Sequence, residues 1–407
     1  MLDIFQEYIE DAANTQKITP HIQFNTKVVK CAWDEEDGKW KVETADGATF
    51  VANVLVNATG LLHQPLFPKF EGDETFKGVK MHTARWDRNI DLKGKKVGVI
   101  GTGCSGVQVL PALIEDCQQL TLFQRSPAWV FPKGDQANPD NQKSRLFGSL
   151  RDWILRKRLH YDGDWQWQKM TTKEKWYSSG EQIMEVMRGF MGSLVEDPAM
   201  KEKIIPTYGA TVKRITFSDD YLQALNKDNF RLVTDPIQRL TENCVETKTG
   251  EEVELDAIVY ATGFDCIKSA MPFEIIGRNG EKLKDLWGKS PRAYKGICIP
   301  KMPNYFIMFG PSTINDRMFM SECSSAFVAD AVRKLSISGK KSLVVKEKLF
   351  AEYNKKLKNA VKNKTYNETA GGYYEDGEGF NWLLYPFPLF YYRWQTRGCS
   401  ENEFDWS

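Results

Sequence analysis

Residues 97–109 read VGVIGTGCSGVQV: an apolar strand, a glycine-rich turn and the start of a helix. Gly101, Gly103 and Gly106 stand at GxGxxG spacing. The first glycine permits a tight turn, the second lets the backbone approach a pyrophosphate, and the third lets helix and strand pack closely at a positive helix end. Lys95 to Ile100 reads as the strand, Val107 to Ile114 continues the helix, and LTLFQ at residues 120–124 reads as the next strand. The turn therefore sits inside a βαβ pattern, which predicts a dinucleotide site built from Gly101, Thr102, Gly103, Cys104, Ser105 and Gly106.

A dinucleotide with a free ribose 2′-hydroxyl usually meets an Asp or Glu about 20 residues further on, at the end of the second strand. Here that position reads Gln124-Arg125-Ser126. A guanidinium beside a hydroxyl suits a 2′-phosphate, which accepts paired charge-assisted hydrogen bonds, so NADPH is expected over NADH.

Outward from this unit the sequence repeats itself. From His21 short β-rich runs alternate with turns at Asp37-Gly38 and Asp46-Gly47, ending in VLVNATGLL at residues 54–62. Residues 229–264 repeat the texture, with a turn at Thr249-Gly250 and a second ATG ending. The second copy closes the domain opened near residue 100, whereas the first copy has no such opening. A half of minimal size needs roughly 100 residues, yet the first ATG begins at Ala58. The expectation is an α/β chain of tandem dinucleotide-binding, Rossmann-like three-layer domains with β-meanders. Its first half is expected to be largely missing, the chain being N-terminally incomplete. A helical insertion is expected over about 134–206, where RLFGSLRDWILRKRLH (145–160) and SSGEQIMEVMRGFMGSLVED (178–197) space their apolar residues three and four apart.

Composition narrows the function classes. Of 407 residues 42% are hydrophobic, and 55 Lys and Arg balance 54 Asp and Glu to a net charge of +1. No global field recruits nucleic acid or an anionic membrane. The eight cysteines show no CxxC pair and no zinc spacing, so reduced thiols and no metal are expected. The opening MLDIFQEYIEDAA is unlike a secretory signal, and no run approaches the ~18 apolar residues of a membrane span. A soluble, cytoplasmic protein is expected. Arg151, Arg156, Lys157 and Arg158 read as a solvated helix face, and the aromatic tail at residues 380–394 reads as core.

Just before the glycine turn lies FKGVKMHTARWD, residues 76–87. It matches FxGxxxHxxxW[P/D], with Phe76, Gly78, His82, Trp86 and Asp87 filling every defined position. In this the chain resembles the Baeyer-Villiger monooxygenases, flavoproteins that insert one atom of O2 beside a ketone carbonyl. Related flavin-containing monooxygenases usually have Tyr or Phe where Trp86 stands. FQRSP at 123–127, YGATVKRI at 208–215, both ATG turns and YRWQTR at 392–397 look like landmarks of the same family in the same order.

The resemblance implies FAD and NADPH as cofactors, with a small-molecule ketone or other organic substrate and O2 as reactants. It implies residues 1–87 as the remainder of an FAD-binding domain, 88–263 as the NADPH-binding domain and 264–407 as the rest of the FAD-binding domain. Lys213 is expected to join Arg125 and Ser126 at the 2′-phosphate. Arg214 is expected beside the flavin, its permanent charge holding a deprotonated C4a-peroxide and the later oxyanion. His82 is expected as a hydrogen-bonding hinge, and Thr59-Gly60 and Thr262-Gly263 as domain-crossing turns near the cofactors. Two departures stand out. The family's flavin-binding GxGxxG and the acid that pairs with the active-site arginine are missing, so weak FAD binding is expected. After Gly310-Pro311 the chain has STINDRMFMSE in place of an HGS-like segment. An S- or N-oxygenating enzyme and a catalytically silent NADP(H)-binding remnant are the alternatives.

Overall fold

The computed structural model describes residues 2–134, 148–173, 180–209, 211–367, 375–376 and 378–407. Helix α1 (Leu2–Thr15) precedes a meander of β1 (Val28–Asp34), β2 (Lys39–Thr44) and β3 (Thr49–Ala52), which leads into β4 (Leu55–Asn57). Next come β5 (Val79–His82), β6 (Lys96–Ile100), α2 (Cys104–Ile114), β7 (Gln119–Phe123) and β8 (Val130–Phe131). The insertion supplies α3 (Gly148–Thr171), α4 (Gly180–Leu194) and α5 (Pro198–Ile204), and β9 (Thr216–Phe217) and α6 (Tyr221–Ala224) follow. After β10 (Phe230–Val233) a second meander of β11 (Ile237–Leu240), β12 (Cys244–Thr247) and β13 (Glu252–Glu254) leads to β14 (Ala257–Tyr260). The remainder is α7 (Cys266–Ala270), β15 (Glu274–Ile276), α8 (Leu283–Trp287), β16 (Tyr305–Ile307), α9 (Arg317–Ser338), β17 (Leu343–Val345), α10 (Glu347–Lys362), α11 (Leu389–Gln395) and β18 (Phe404–Trp406).

One five-stranded sheet, ordered β10-β7-β6-β14-β5, is parallel throughout. Its inner strands β7, β6 and β14 are buried along nearly their whole length because both faces are covered. Val97, Val99, Leu120, Leu122, Ala257 and Val259 pack with Val107 and Leu110 of α2 and with Met187 and Met191 of α4. Ile100, Phe123, Ile258 and Tyr260 point the other way, onto Val245 and Val253 of the meander. Helix, sheet and meander thus form three layers. Each fully buried side chain of this size contributes roughly 1.5–3 kcal/mol. The motif around His82 also supplies a strand, since Val79–His82 is the edge partner of β14. Phe76 folds its ring over Gly78, where a Cβ would meet that ring and the Asp256 carbonyl.

The other unit repeats the plan in part. β1, β2 and β3 pair antiparallel with β15 alongside β1, and β4 runs parallel to β16. Trp33, Trp40, Ile275, Leu283, Trp287, Tyr305 and Trp382 build its core. Much of the aromatic tail packs inside, with Trp382, Leu383, Tyr385, Leu389 and Tyr392 buried, whereas Phe390 and Trp394 are exposed. All eight cysteines are free thiols. Among the described residues no helix is long and apolar enough to cross a membrane, and no group of three acidic, Cys or His side chains is placed to hold a metal. Arg151, Arg156 and Lys157 have side chains outside the described ones; Arg158 is exposed and pairs with Asp162 one turn on.

Candidate nucleotide site and domain junction

The glycine turn caps β6 where the strand order reverses, the crevice in which open parallel sheets bind dinucleotides. Gly101 has φ +110°, and a Cβ there would stand 2.6 Å from the Ala261 carbonyl. Gly106 abuts the Gly101 carbonyl, which leaves no room for a side chain. Gly103, the residue preceding α2, is different: a Cβ there would meet nothing within 4 Å. The space over Gly103 is open toward a ligand, at the end of α2 that carries the free amides of Cys104 and Ser105 and partial positive charge.

Three predicted phosphate residues converge beside this turn. Thr102 Oγ1 donates to the Ser126 carbonyl at 2.7 Å, and the Lys213 ammonium hydrogen-bonds Ser126 Oγ from 87 residues away. Arg125 is exposed next to Ser126 and lies close enough to act on Lys213 electrostatically. Burial and then the Arg125 charge hold the Lys213 ammonium below its ordinary pKa, with Glu375 opposing them. Two cations gathered at the lip of the glycine turn suit an anionic group of the ligand. Gln124, where an NAD-type acid would stand, is turned inward instead and donates to the Lys203 carbonyl at 2.7 Å. These residues fit a dinucleotide carrying a 2′-phosphate.

His82 and the second ATG turn form the junction between the units. Buried His82 donates from Nε2 to the Gly263 carbonyl at 3.1 Å and accepts the Ala84 amide on Nδ1 at 3.0 Å. Burial, partly offset by the Gly263 bond, and then the charge of Arg85 lower its pKa, so the ring is neutral. Thr262 Oγ1 donates to the Leu66 carbonyl at 2.5 Å, and the Leu66 amide donates to Gly263 at 2.9 Å. Residues 64–66 and 263–265 therefore cross between the units side by side. Thr59-Gly60 follows β4, where Asn57 Oδ1 accepts the Thr59 hydroxyl at 2.8 Å. Arg214, next to Lys213, has an exposed side chain.

An open cleft of about 570 Å³ lies on the β4–β16 pair, lined by Val56, Ala58, Gly60, Met308, Phe309 and Val328. Its apolar walls suit part of an aromatic ring system. Residues 312–322 do structural work: Asp316 caps α9 by accepting the Phe319 amide at 3.0 Å and pairs with His160, and Asn315 donates to Asp164 at 3.0 Å. Two contributors escaped the sequence reading, Tyr208 and Asn57. Tyr208 stood in a landmark stretch, but nothing in a lone tyrosine shows what its ring touches.

A sequence profile of flavin-binding monooxygenase-like proteins matches residues 2–168. A Baeyer-Villiger monooxygenase of Streptomyces coelicolor is 32% identical over 404 residues, covering 98% of this chain and 77% of the relative. One from Pseudomonas aeruginosa is 31% identical, covering 96% and 75%. Among solved structures, an oxidised steroid monooxygenase bound to NADP superposes with a TM-score of 0.84 at 28% identity, covering 98% of this chain and 84% of its own. Cyclohexanone monooxygenase from Rhodococcus sp. Phi1 bound to NADP+ gives 0.83 at 25%, with 98% and 83% covered.

Proposed function

The chain belongs to the flavin-binding monooxygenase-like family and is an enzyme of it, and from that premise we propose an NADPH- and FAD-dependent oxygenase of the Baeyer-Villiger type, acting on a small-molecule ketone. The observation that carries the reading is the meeting of Ser126 and Lys213 beside the glycine turn, from segments 87 residues apart. When bound, FAD supplies oxygen activation and NADPH the two electrons.

The chain's own residues bind, orient and stabilise. The amides at the start of α2 and the bare backbone of Gly103 receive the pyrophosphate. Arg125, Ser126 and Lys213 take the 2′-phosphate, which fixes the nicotinamide end by fixing the adenosine end. Arg214 follows Lys213 directly, and we assign its guanidinium to the reaction side. A guanidinium keeps its proton at pH 7 and stabilises an anionic oxygen without donating a proton irreversibly. His82 holds the crossing turn rather than moving a proton, since both ring nitrogens are engaged with backbone.

The test is isotopic. With FAD, NADPH and a panel of cyclic and linear ketones under ¹⁸O2, the products should be esters or lactones carrying one labelled atom. Labelled sulfoxides or N-oxides from a parallel panel, with ketones untouched, would replace the ketone by a soft nucleophile. NADPH binding with no oxygenated product in either panel would overturn the oxygenase reading.

A further inference from the structure

Tyr208 lies on the return from α5 to Lys213 and touches both halves of the phosphate site. Its hydroxyl donates to the Pro127 carbonyl at 2.5 Å, one residue beyond Ser126. The Lys213 ammonium sits 5.2 Å from the centroid of its ring. Its own carbonyl accepts the Trp129 indole N–H at 3.1 Å, and Trp129 in turn carries the Arg188 guanidinium 5.4 Å from its ring. Tyr208 is thus anchored, by its hydroxyl and by its own carbonyl, to Pro127 and Trp129 in the segment that follows Arg125–Ser126.

We propose that Tyr208 is the positioning residue that makes the site selective for a 2′-phosphorylated nucleotide. The inference rests on the reading of Arg125, Ser126 and Lys213 as the 2′-phosphate site. Two separable effects are at work. The hydroxyl pins the loop bearing Arg125 and Ser126, which Thr102 pins from the opposite side at the Ser126 carbonyl. The ring face, negative at its centre, favours a cation that burial and Arg125 otherwise disfavour, and it confines a flexible lysine before the ligand arrives. Burial pushes the phenol up to about 12, so the hydroxyl remains a donor throughout the working pH range.

The test is calorimetric binding of 2′,5′-ADP and of 5′-AMP to the full chain, read as the ratio of their affinities. Tyr208→Leu removes both effects and should lower the ratio about ten-fold, within the three- to thirty-fold that one cation–π contact spans. The affinity for 5′-AMP should stay within about two-fold. Tyr208→Phe keeps the ring and should lower the ratio only about three-fold. An equal loss for both nucleotides, or an unchanged ratio, overturns the inference. If the leucine variant misfolds, the phenylalanine variant decides by the same criterion. Lys213→Ala tests the underlying reading: should it and Arg125→Ala both leave the ratio intact, the phosphate assignment itself fails. If they lower it and the Tyr208 variants do not, only the role of Tyr208 fails.

Discussion

The imidazole of His82 donates to the Gly263 carbonyl across 3.1 Å, which ties the end of β5 to the turn that closes β14. Tyr260, paired with His82 in the sheet, is followed by the Ala261 carbonyl that crowds Gly101. The histidine of the FxGxxxH motif therefore braces, through two short steps, the turn proposed to receive the pyrophosphate. Phe67 and Phe264 enclose its ring at 5.2 and 5.9 Å between centroids. The ring is buried and held by backbone at both nitrogens, not an exposed acid or base.

The folded pKa of His82 lies below its usual 6.5, chiefly through burial. The unfolded chain therefore binds more protons, and stability falls as pH drops below about 6.5 until the folded value is passed. Thermal unfolding between pH 7.5 and 5 should show this decline. His82→Gln, which keeps a donor for Gly263 and does not titrate, should decline less steeply over the same interval. Identical slopes would remove His82 from the pH dependence.

Replacing Arg125 and Lys213 together by Ala should weaken NADPH by about a hundred-fold or more, since each charged hydrogen bond is worth roughly 1.5–3 kcal/mol. NADH, which shares every other contact, should lose less than about three-fold. In the intact protein the preference for NADPH should fade as pH rises through the Lys213 pKa, which lies below 10.5. Fluorescence titration with both nucleotides decides it, and parallel losses would refute the phosphate assignment.

Gly103 and Gly106 should part company on substitution. Gly106→Ala drives a methyl into the Gly101 carbonyl and should destabilise by about 1–3 kcal/mol. Gly103→Ala adds a methyl to open space, so the thermal midpoint should hold while nucleotide affinity falls at least ten-fold. A stable Gly103→Ala protein that binds NADPH normally would place the pyrophosphate elsewhere.

Much of this arrangement was legible because it rests on local rules. The glycine spacing, the apolar strands on either side and the arginine after β7 each follow from one backbone requirement. The repeated meander was legible too, since β1 to β4 and β11 to β14 repeat one pattern of turns. The contacts of Tyr208 were not, because they span up to 81 residues and depend on how the insertion returns to the sheet. The burial of His82 reads from its apolar strand, but its tautomer depends on Gly263, 181 residues away. STINDRMFMSE departs from an HGS-like segment, and its Asp316 caps α9, a role that an Asp three residues before Phe319 permits.

Arg214→Ala, in protein supplied with FAD, should leave NADPH oxidation running while oxygenated product falls about 10²- to 10³-fold. Hydrogen peroxide should rise in compensation, because reduced flavin still meets O2. Peroxide and product measured together give the coupling, and unchanged coupling would take Arg214 out of the reaction.

One face of α3 carries His160, Asp164 and Gln168, each four residues from the last, with Thr172 just past the helix end; Asp164 and Gln168 are polar yet buried. Asp164 accepts from Asn315 Nδ2 at 3.0 Å and from the Leu389 amide at 2.9 Å, while Lys364 Nζ reaches Gln168 at 2.7 Å and Thr172 at 2.9 Å. The insertion is thus fastened to the C-terminal residues by hydrogen bonds whose loss strands buried donors. Asp164→Ala leaves the Asn315 amide and the Leu389 N–H without this acceptor, a cost of about 2–4 kcal/mol. Because the chain has more than one core, that cost should appear locally. Hydrogen exchange at Leu389 and along α3 should accelerate by about 30-fold or more, with β6 and β14 unaffected. Unchanged protection of Leu389 would mean that packing, such as the stacked Trp167 and Tyr366 rings 6.2 Å apart, holds the helix without the carboxylate.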